Sequence, residues 1–149
     1  MYLLDTNHCS LILQGHDSIL QKLSVLNSVS VATCVIVQGE LVFMAEKSVQ
    51  KTENLQRVHQ FLKHIRVYSI DAETADIYGK LKAEIIDHFG PKAKAKRRHI
   101  KIERLGFGEN DLWIAAVSKR HGLTIVSADS DFRRLQQVES LQVENWLEE

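Results

Sequence analysis

Five carboxylates stand out for where they fall in the chain. Asp5 closes the apolar run Tyr2-Leu3-Leu4 and is followed by Thr6 and Asn7, and Asp129 and Asp131 follow the run Leu123-Thr124-Ile125-Val126 through Ser127 and Ala128. Glu40 lies among Val35, Val37, Leu41 and Phe43, an apolar setting in which a carboxylate needs a partner, and Asp111 heads an apolar-periodic segment just after Asn110. Gathered in one place, such groups repel, and desolvation raises their pKa values unless something offsets the charge. A divalent cation does so. Hard oxygen donors suit Mg2+ or Mn2+, which keep several waters and share their coordination with substrate phosphate. A site of that kind activates water and stabilises the charge that develops on a phosphodiester.

Each residue also has a plainer role open to it. Asp5 serves equally well as a helix cap, Asp111 as a favourable charge at the positive end of a helix, and Asp129 and Asp131 as turn residues. What favours the chemistry is that all of them take consistent positions in one architecture.

That architecture follows from the pattern of apolar residues. Tyr2–Leu4 reads as a short buried strand, Ser10–Leu13 as a helical turn, and Ser18–Leu23 as the start of a second helix beyond Gly15. Ser28–Thr33 alternates as a strand, and Cys34–Lys47 follows as a helix with Thr33 near its cap. Thr52–Ile65 carries a helical stripe of Leu55, Val58, Phe61, Leu62 and Ile65, and Arg66–Ile70 is a third strand. Asp71 caps a long helix through Ile77, Leu81, Ile85 and Phe89, which Gly90-Pro91 ends. Beyond the tight turn suggested by Gly106-Phe107-Gly108, Asn110 caps a helix from Asp111 to His121, with Trp113, Ile114 and Val117 inward and Gly122 as its stop. Leu123–Val126 is the next strand, Phe132–Leu135 a turn, and Leu141–Val143 an edge strand, after which Trp146 and Leu147 pack the end. Alternating strands and helices predict an α/β fold, a three-layer α/β/α sandwich with a mostly parallel central sheet.

In such a sheet strand ends and helix starts share one face, where ligands sit. Asp5 and Asp129 fall at strand ends, Glu40 in the early turns of a helix leaving a strand, and Asp111 in the first turn of another. All four therefore point toward one cleft. Thr6, Asn7 and Ser127 are placed to support those carboxylates or to cap helices.

Length and composition set the frame. A chain of 149 residues, 44% hydrophobic and 26% charged, suits one globular domain over 1–149. No apolar run approaches the roughly 20 residues of a membrane span, and the start lacks the pattern of a signal peptide, so the expected location is the cytoplasm. Cys9 and Cys34 are far apart with no CxxC pair, and the seven histidines form no HExxH pattern, which argues against a disulfide framework, structural zinc or a histidine-held metal.

The net charge of zero hides an asymmetry. The segment at about 91–104 holds seven basic residues, Lys92, Lys94, Lys96, Arg97, Arg98, Lys101 and Arg104, against the single acid Glu103; setting it aside leaves twelve basic and eighteen acidic side chains elsewhere, net acidic by six. A solvated loop is the plain reading, and neutralisation of a phosphate backbone the functional one. Lacking interleaved aromatics, the segment is not built to stack bases. An acidic metal pocket beside it implies a polyanionic substrate.

Four blocks then carry a resemblance: Leu3-Leu4-Asp5-Thr6-Asn7, Glu40-Leu41 with Ala45-Glu46-Lys47-Ser48, Asn110-Asp111-Leu112-Trp113-Ile114-Ala115-Ala116, and Val126-Ser127-Ala128-Asp129-Ser130-Asp131-Phe132. In this order, spanning nearly the whole chain, they resemble the PIN-domain family, close to the VapC-type ribonuclease toxins of toxin–antitoxin pairs. The resemblance implies that Asp5, Glu40, Asp111 and Asp129 are the acidic quartet that binds Mg2+ or Mn2+. It further implies endonucleolytic cleavage of RNA, a homodimer, and inhibition by a small antitoxin whose C-terminal tail enters the active-site groove. RNA contact is expected of Lys92, Lys94, Lys96, Arg97, Arg98 and Lys101.

The chain departs from the family pattern at Val37, where Thr or Ser is common, at Met44, where Gly is frequent, and at Ala128, often Asn. With both Asp129 and Asp131 present, which of them serves the metal stays open. Two other function classes compete: a PIN-like module that binds RNA or protein with catalysis weak or lost, and a small-molecule phosphoryl-transfer enzyme of the haloacid-dehalogenase or receiver type. The intact quartet argues against the first. Asn7, standing where the dehalogenase type expects a second Asp, argues against the second.

Overall fold

β1 (Tyr2–Leu4) is the middle strand of a five-stranded sheet, a place that its short apolar run suits, for Leu3 and Leu4 are fully buried. The computed structural model describes residues 1–27 and 30–147. With β2 (Val31–Cys34), β3 (Arg66–Tyr68), β4 (Thr124–Val126) and β5 (Val143–Glu144), the strand order is β3-β2-β1-β4-β5, and every neighbouring pair is parallel. All four residues of β2 are buried, as a strand covered on both faces requires. Ser28 and Val29, assigned to that strand by their alternation, lie outside the described residues.

The helices are α1 (Thr6–Leu13), α2 (Asp17–Ser24), α3 (Val35–Glu46), α4 (Lys51–Lys63), α5 (Ala72–Phe89), α6 (Lys94–Arg97), α7 (Glu109–His121) and α8 (Ser130–Leu135), with a 3-10 turn at Ile102–Leu105. They pack in two groups, α5 with α7 and α1 with α3 and α4, which gives the expected three-layer sandwich. Among the described residues no helix is long and apolar enough to cross a membrane.

Caps decide where several elements start. Asp71 caps α5 as predicted, its Oδ1 accepting from the Thr74 backbone N–H at 2.8 Å. Asp5 caps α1, so that helix begins at Thr6 and not at Ser10. Thr33 does not cap α3: Cys34 holds that position, and the Thr33 hydroxyl donates to the Leu4 carbonyl at 2.9 Å, tying β2 to the end of β1. Nor does Asn110 cap α7. Gly108 does, the helix starts at Glu109, and Leu112 takes the core place expected of Trp113. Trp113 is half-buried and lies flat on Tyr78, ring centres 3.7 Å apart. Trp146 is buried edge-on to Tyr2, whereas Leu147 stays exposed. The edge strand β5 falls at Val143–Glu144, two residues beyond its expected start.

The order of winding fixes the site. The chain passes outward from β1 to β2 and β3, then returns through α5 and α7 to place β4 on the other flank of β1. The direction reverses between β1 and β4, and in open parallel sheets ligands bind beyond the strand ends at that reversal. Pairing continues past both strands, from the Asp5 N–H to the Val126 carbonyl at 3.1 Å and from the Ser127 N–H to that of Glu144 at 2.9 Å. The two acidic loops are thereby held side by side.

Candidate active site

At the head of β1, Asp5 is 5% exposed, and its Oδ1 accepts from both the backbone N–H of His8 at 2.8 Å and the ring Nδ1 of His8 at 3.0 Å. Cap and ligand roles are thus compatible, because neither bond uses Oδ2. His8 is fully buried and its Nε2 has no hydrogen-bond partner. Sequence pattern alone does not single it out, although its position three residues after a cap is the one from which a side chain reaches back. Thr6 is half-buried with a partnerless Oγ1, while Asn7 is exposed.

At the head of β4, the buried Ser127 hydroxyl accepts from the Asp129 N–H at 3.0 Å, and Asp129 Oδ1 accepts from the Asp131 N–H at 2.9 Å. This pair of bonds turns the chain into α8. Asp111, in the first turn of α7, completes the approach: one carboxylate oxygen from each of Asp111, Asp129 and Asp131 lies within 4.8 Å of the others. Asp131, left open against Asp129 in the sequence, therefore stands beside it. Glu40 is half-buried on α3, and its Oε1 accepts from the Asn110 amide at 3.2 Å, a bond that links α3 to α7 one residue from Asp111.

The electrostatics report the same convergence. Burial pushes the Asp111 carboxyl up to about 7, and Asp129, Asp131, Glu40 and Asp5 push in the same direction. Burial and the charge of Asp129 also raise Asp131, opposed by Arg134, whose Nη1 lies 3.5 Å from Asp131 Oδ1. Asp5, Glu40 and Asp129 of the predicted quartet thus all act on its fourth member, with Asp111, Asp129 and Asp131 nearest together and Asp5 and Glu40 outside that trio. Donors that are all carboxylate oxygens, with their repulsion only partly offset, match a hard divalent cation.

The basic segment has more shape than a solvated loop. Ile102 is buried, and Arg97 donates to Asp87 Oδ1 at 3.0 Å and to the Lys92 carbonyl at 2.9 Å, so Arg97 is committed to holding the segment together. Lys92, Lys94, Lys96, Arg98, Lys101 and Arg104 are exposed, and Lys96, His99, Lys101 and Arg104 line one open cradle.

Similarity to known proteins extends over nearly the whole chain. Residues 2–138 match the family described as PIN domain. The chain is 30% identical over 148 residues to a "Ribonuclease VapC2" of Haemophilus influenzae, covering 98% of each sequence. It is 24% identical over 145 residues to a "tRNA(fMet)-specific endonuclease VapC" of Salmonella typhimurium, covering 97% of each. Among solved structures it is similar to VapBC2 from Rickettsia felis bound to a DNA fragment from their promoter, with a TM-score of 0.75, 28% identity, and coverage of 97% of this chain and 98% of that one.

Proposed function

This chain belongs to the PIN-domain family, and from that premise we propose that it is a metal-dependent endoribonuclease that hydrolyses RNA phosphodiesters as the toxin of a toxin–antitoxin pair. The observation that carries the reading is the meeting of Asp111, Asp129 and Asp131, flanked by Asp5 and Glu40, at the reversal point between β1 and β4. A surplus of negative charge there repels an RNA backbone unless a cation is shared between the two.

Asp111, Asp129 and Asp131 would hold that cation, Mg2+ or Mn2+, with Asp5 and Glu40 completing the acidic set. The bound ion supplies a lowered water pKa and stabilisation of the charge on the phosphodiester oxygens. Asp111, its carboxyl pushed up to about 7 by burial and its acidic neighbours, is partly protonated near neutral pH, and a cation held there would favour its ionised form. His8 holds one oxygen of Asp5 and so fixes the attitude of the other; Asn110 does the same for Glu40, and Ser127 for the Asp129 backbone. Exposed Lys92, Lys94, Lys96, Arg98 and Lys101 take the RNA backbone through its phosphates, joined by Arg104.

The proposal extends to a single cytoplasmic domain that forms a homodimer and is held in check by a small antitoxin. For the protein partner, support comes from the similarity of the fold to VapBC2 from Rickettsia felis bound to a DNA fragment from their promoter. The test is to incubate purified protein with a mixed cellular RNA pool in EDTA, Mg2+ or Mn2+, beside Asp5→Ala, and map the new RNA ends. Discrete ends that need both metal and Asp5 support the reading. Equal cleavage by Asp5→Ala refutes the site, and RNA bound without turnover, when no partner protein is bound, reassigns the chain to a binding module.

A further inference from the structure

We propose that Arg134 is a positioning residue that docks the basic arm, residues 91–104, onto the acidic pocket, so that a phosphate backbone lying on the arm is delivered to the carboxylates. The proposal rests on the ribonuclease reading and deepens it.

One guanidinium touches everything that has to be joined. The arm leaves α5 just after Phe89 and returns at Phe107, and these two rings meet at its base with centroids 5.2 Å apart. Arg134 lies over both, 4.1 Å from the Phe107 ring centre and 5.0 Å from that of Phe89. Its Nη2 donates to the Leu105 carbonyl at 2.8 Å and its Nη1 to that of Gly106 at 3.4 Å. The same Nη1 faces Asp131 Oδ1 at 3.5 Å. The end of the arm and a candidate metal-binding carboxylate are therefore separated by no more than the width of one side chain.

The backbone is shaped to receive it. Gly106 has φ +86, a conformation that favours glycine, and a Cβ there would sit 2.9 Å from Arg134 Nη1. A planar fork that stacks on aromatic rings while donating to two carbonyls is a geometry that Lys does not reproduce. Without Arg134 the arm keeps its other ties, buried Ile102 and the Arg97–Asp87 pair, but loses its fixed distance from Asp131. Binding of RNA then survives where delivery does not.

The experiment uses Arg134→Met, Arg134→Lys and Gly106→Ala in the full chain, each first shown to keep the wild-type circular dichroism. Four quantities are read: the rate of tryptic cleavage at each arm site, Mn2+ affinity by titration, RNA Kd and kcat. Expected in all three variants is faster cleavage after Lys101 and Arg104, with cleavage after Arg97 unchanged because Asp87 still holds it. RNA Kd stays within about threefold, since the arm's charges remain, while kcat at saturating RNA falls roughly 10- to 100-fold through misplacement of the reacting phosphate. In Arg134→Met, Mn2+ affinity is unchanged or tighter, because a positive charge beside Asp131 has gone.

Wild-type kcat in Arg134→Met overturns the proposal, and so does a fall in kcat with the arm still as protected as before, since the loss then does not run through docking. The tryptic pattern needs no RNA. If the wild-type chain cleaves no RNA, the ribonuclease reading fails while the docking of the arm is still decided by its protection.

Discussion

Replacing Asp111 with Asn should make the metal-free protein more stable. Asp111 is half-buried among Asp129, Asp131, Glu40 and Asp5, and its carboxyl is pushed from 3.8 up to about 7. A carboxylic acid whose pKa is higher folded than unfolded holds its extra proton in the native state, so stability falls as pH rises between those two values and stays reduced above the upper one. Taken in full, the shift from 3.8 to about 7 corresponds to about 4 kcal/mol at pH 8. Solvent reaches this half-exposed site, which reduces the figure to about 1–3 kcal/mol. Asn keeps the shape and removes the charge. Urea unfolding or a thermal melt in EDTA at pH 8 should show the variant more stable by that amount, or by about 3–10 °C for a chain of this size. At pH 5 the gap should shrink, because the wild-type residue is then protonated. Adding Mn2+ at pH 8 should raise the wild-type melting temperature far more than that of the variant. An Asn variant equal or inferior in stability to wild type at pH 8 in EDTA would show that the carboxylates are not crowded as described.

The same proton governs metal binding: with one proton released from Asp111, Mn2+ affinity should fall about tenfold for each pH unit below 7, and isothermal titration in buffers of different ionisation enthalpy should count that proton. Charge reversal at Lys96, Lys101 and Arg104 should weaken RNA binding and flatten its dependence on salt, by a slope of about 0.7 for each phosphate of a single strand that is no longer neutralised. Mn2+ affinity should not fall in that variant, since these residues line a cradle apart from the carboxylates.

The parts of the site read most directly from sequence depend on local pattern. An apolar run that stops at an acid marks a strand end, and Asp5 and Asp129 stand beyond β1 and β4 as that rule predicts. Glu40 on an apolar helix called for a partner, which proved to be Asn110, read instead as a cap. That misreading has a physical origin: Gly108 in an extended conformation starts α7 and frees Asn110 to reach α3, and the shift in register moves Leu112 inward and Trp113 to the margin. His8 and Arg134 were not legible for a different reason. Their partners are set by burial and by loops that meet only in the fold, as when Arg134 bonds to Leu105 and Gly106. The order within the basic segment escaped notice because its anchors, Ile102 and Arg97, are single residues in a run dominated by charge.

The central place of β1 has a temporal meaning. Tyr2, Leu3 and Leu4 are translated well before their partners Thr124, Ile125 and Val126, which follow 122 positions later in each case. Asp5 waits in the same way for Asp111, Asp129 and Asp131. A nascent chain halted before α7 carries Asp5 and Glu40 but none of the three acids that gather beside them. The carboxylate cluster is therefore complete only once α7, β4 and α8 have all been made, and the late pairing of distant strands makes that step a slow one.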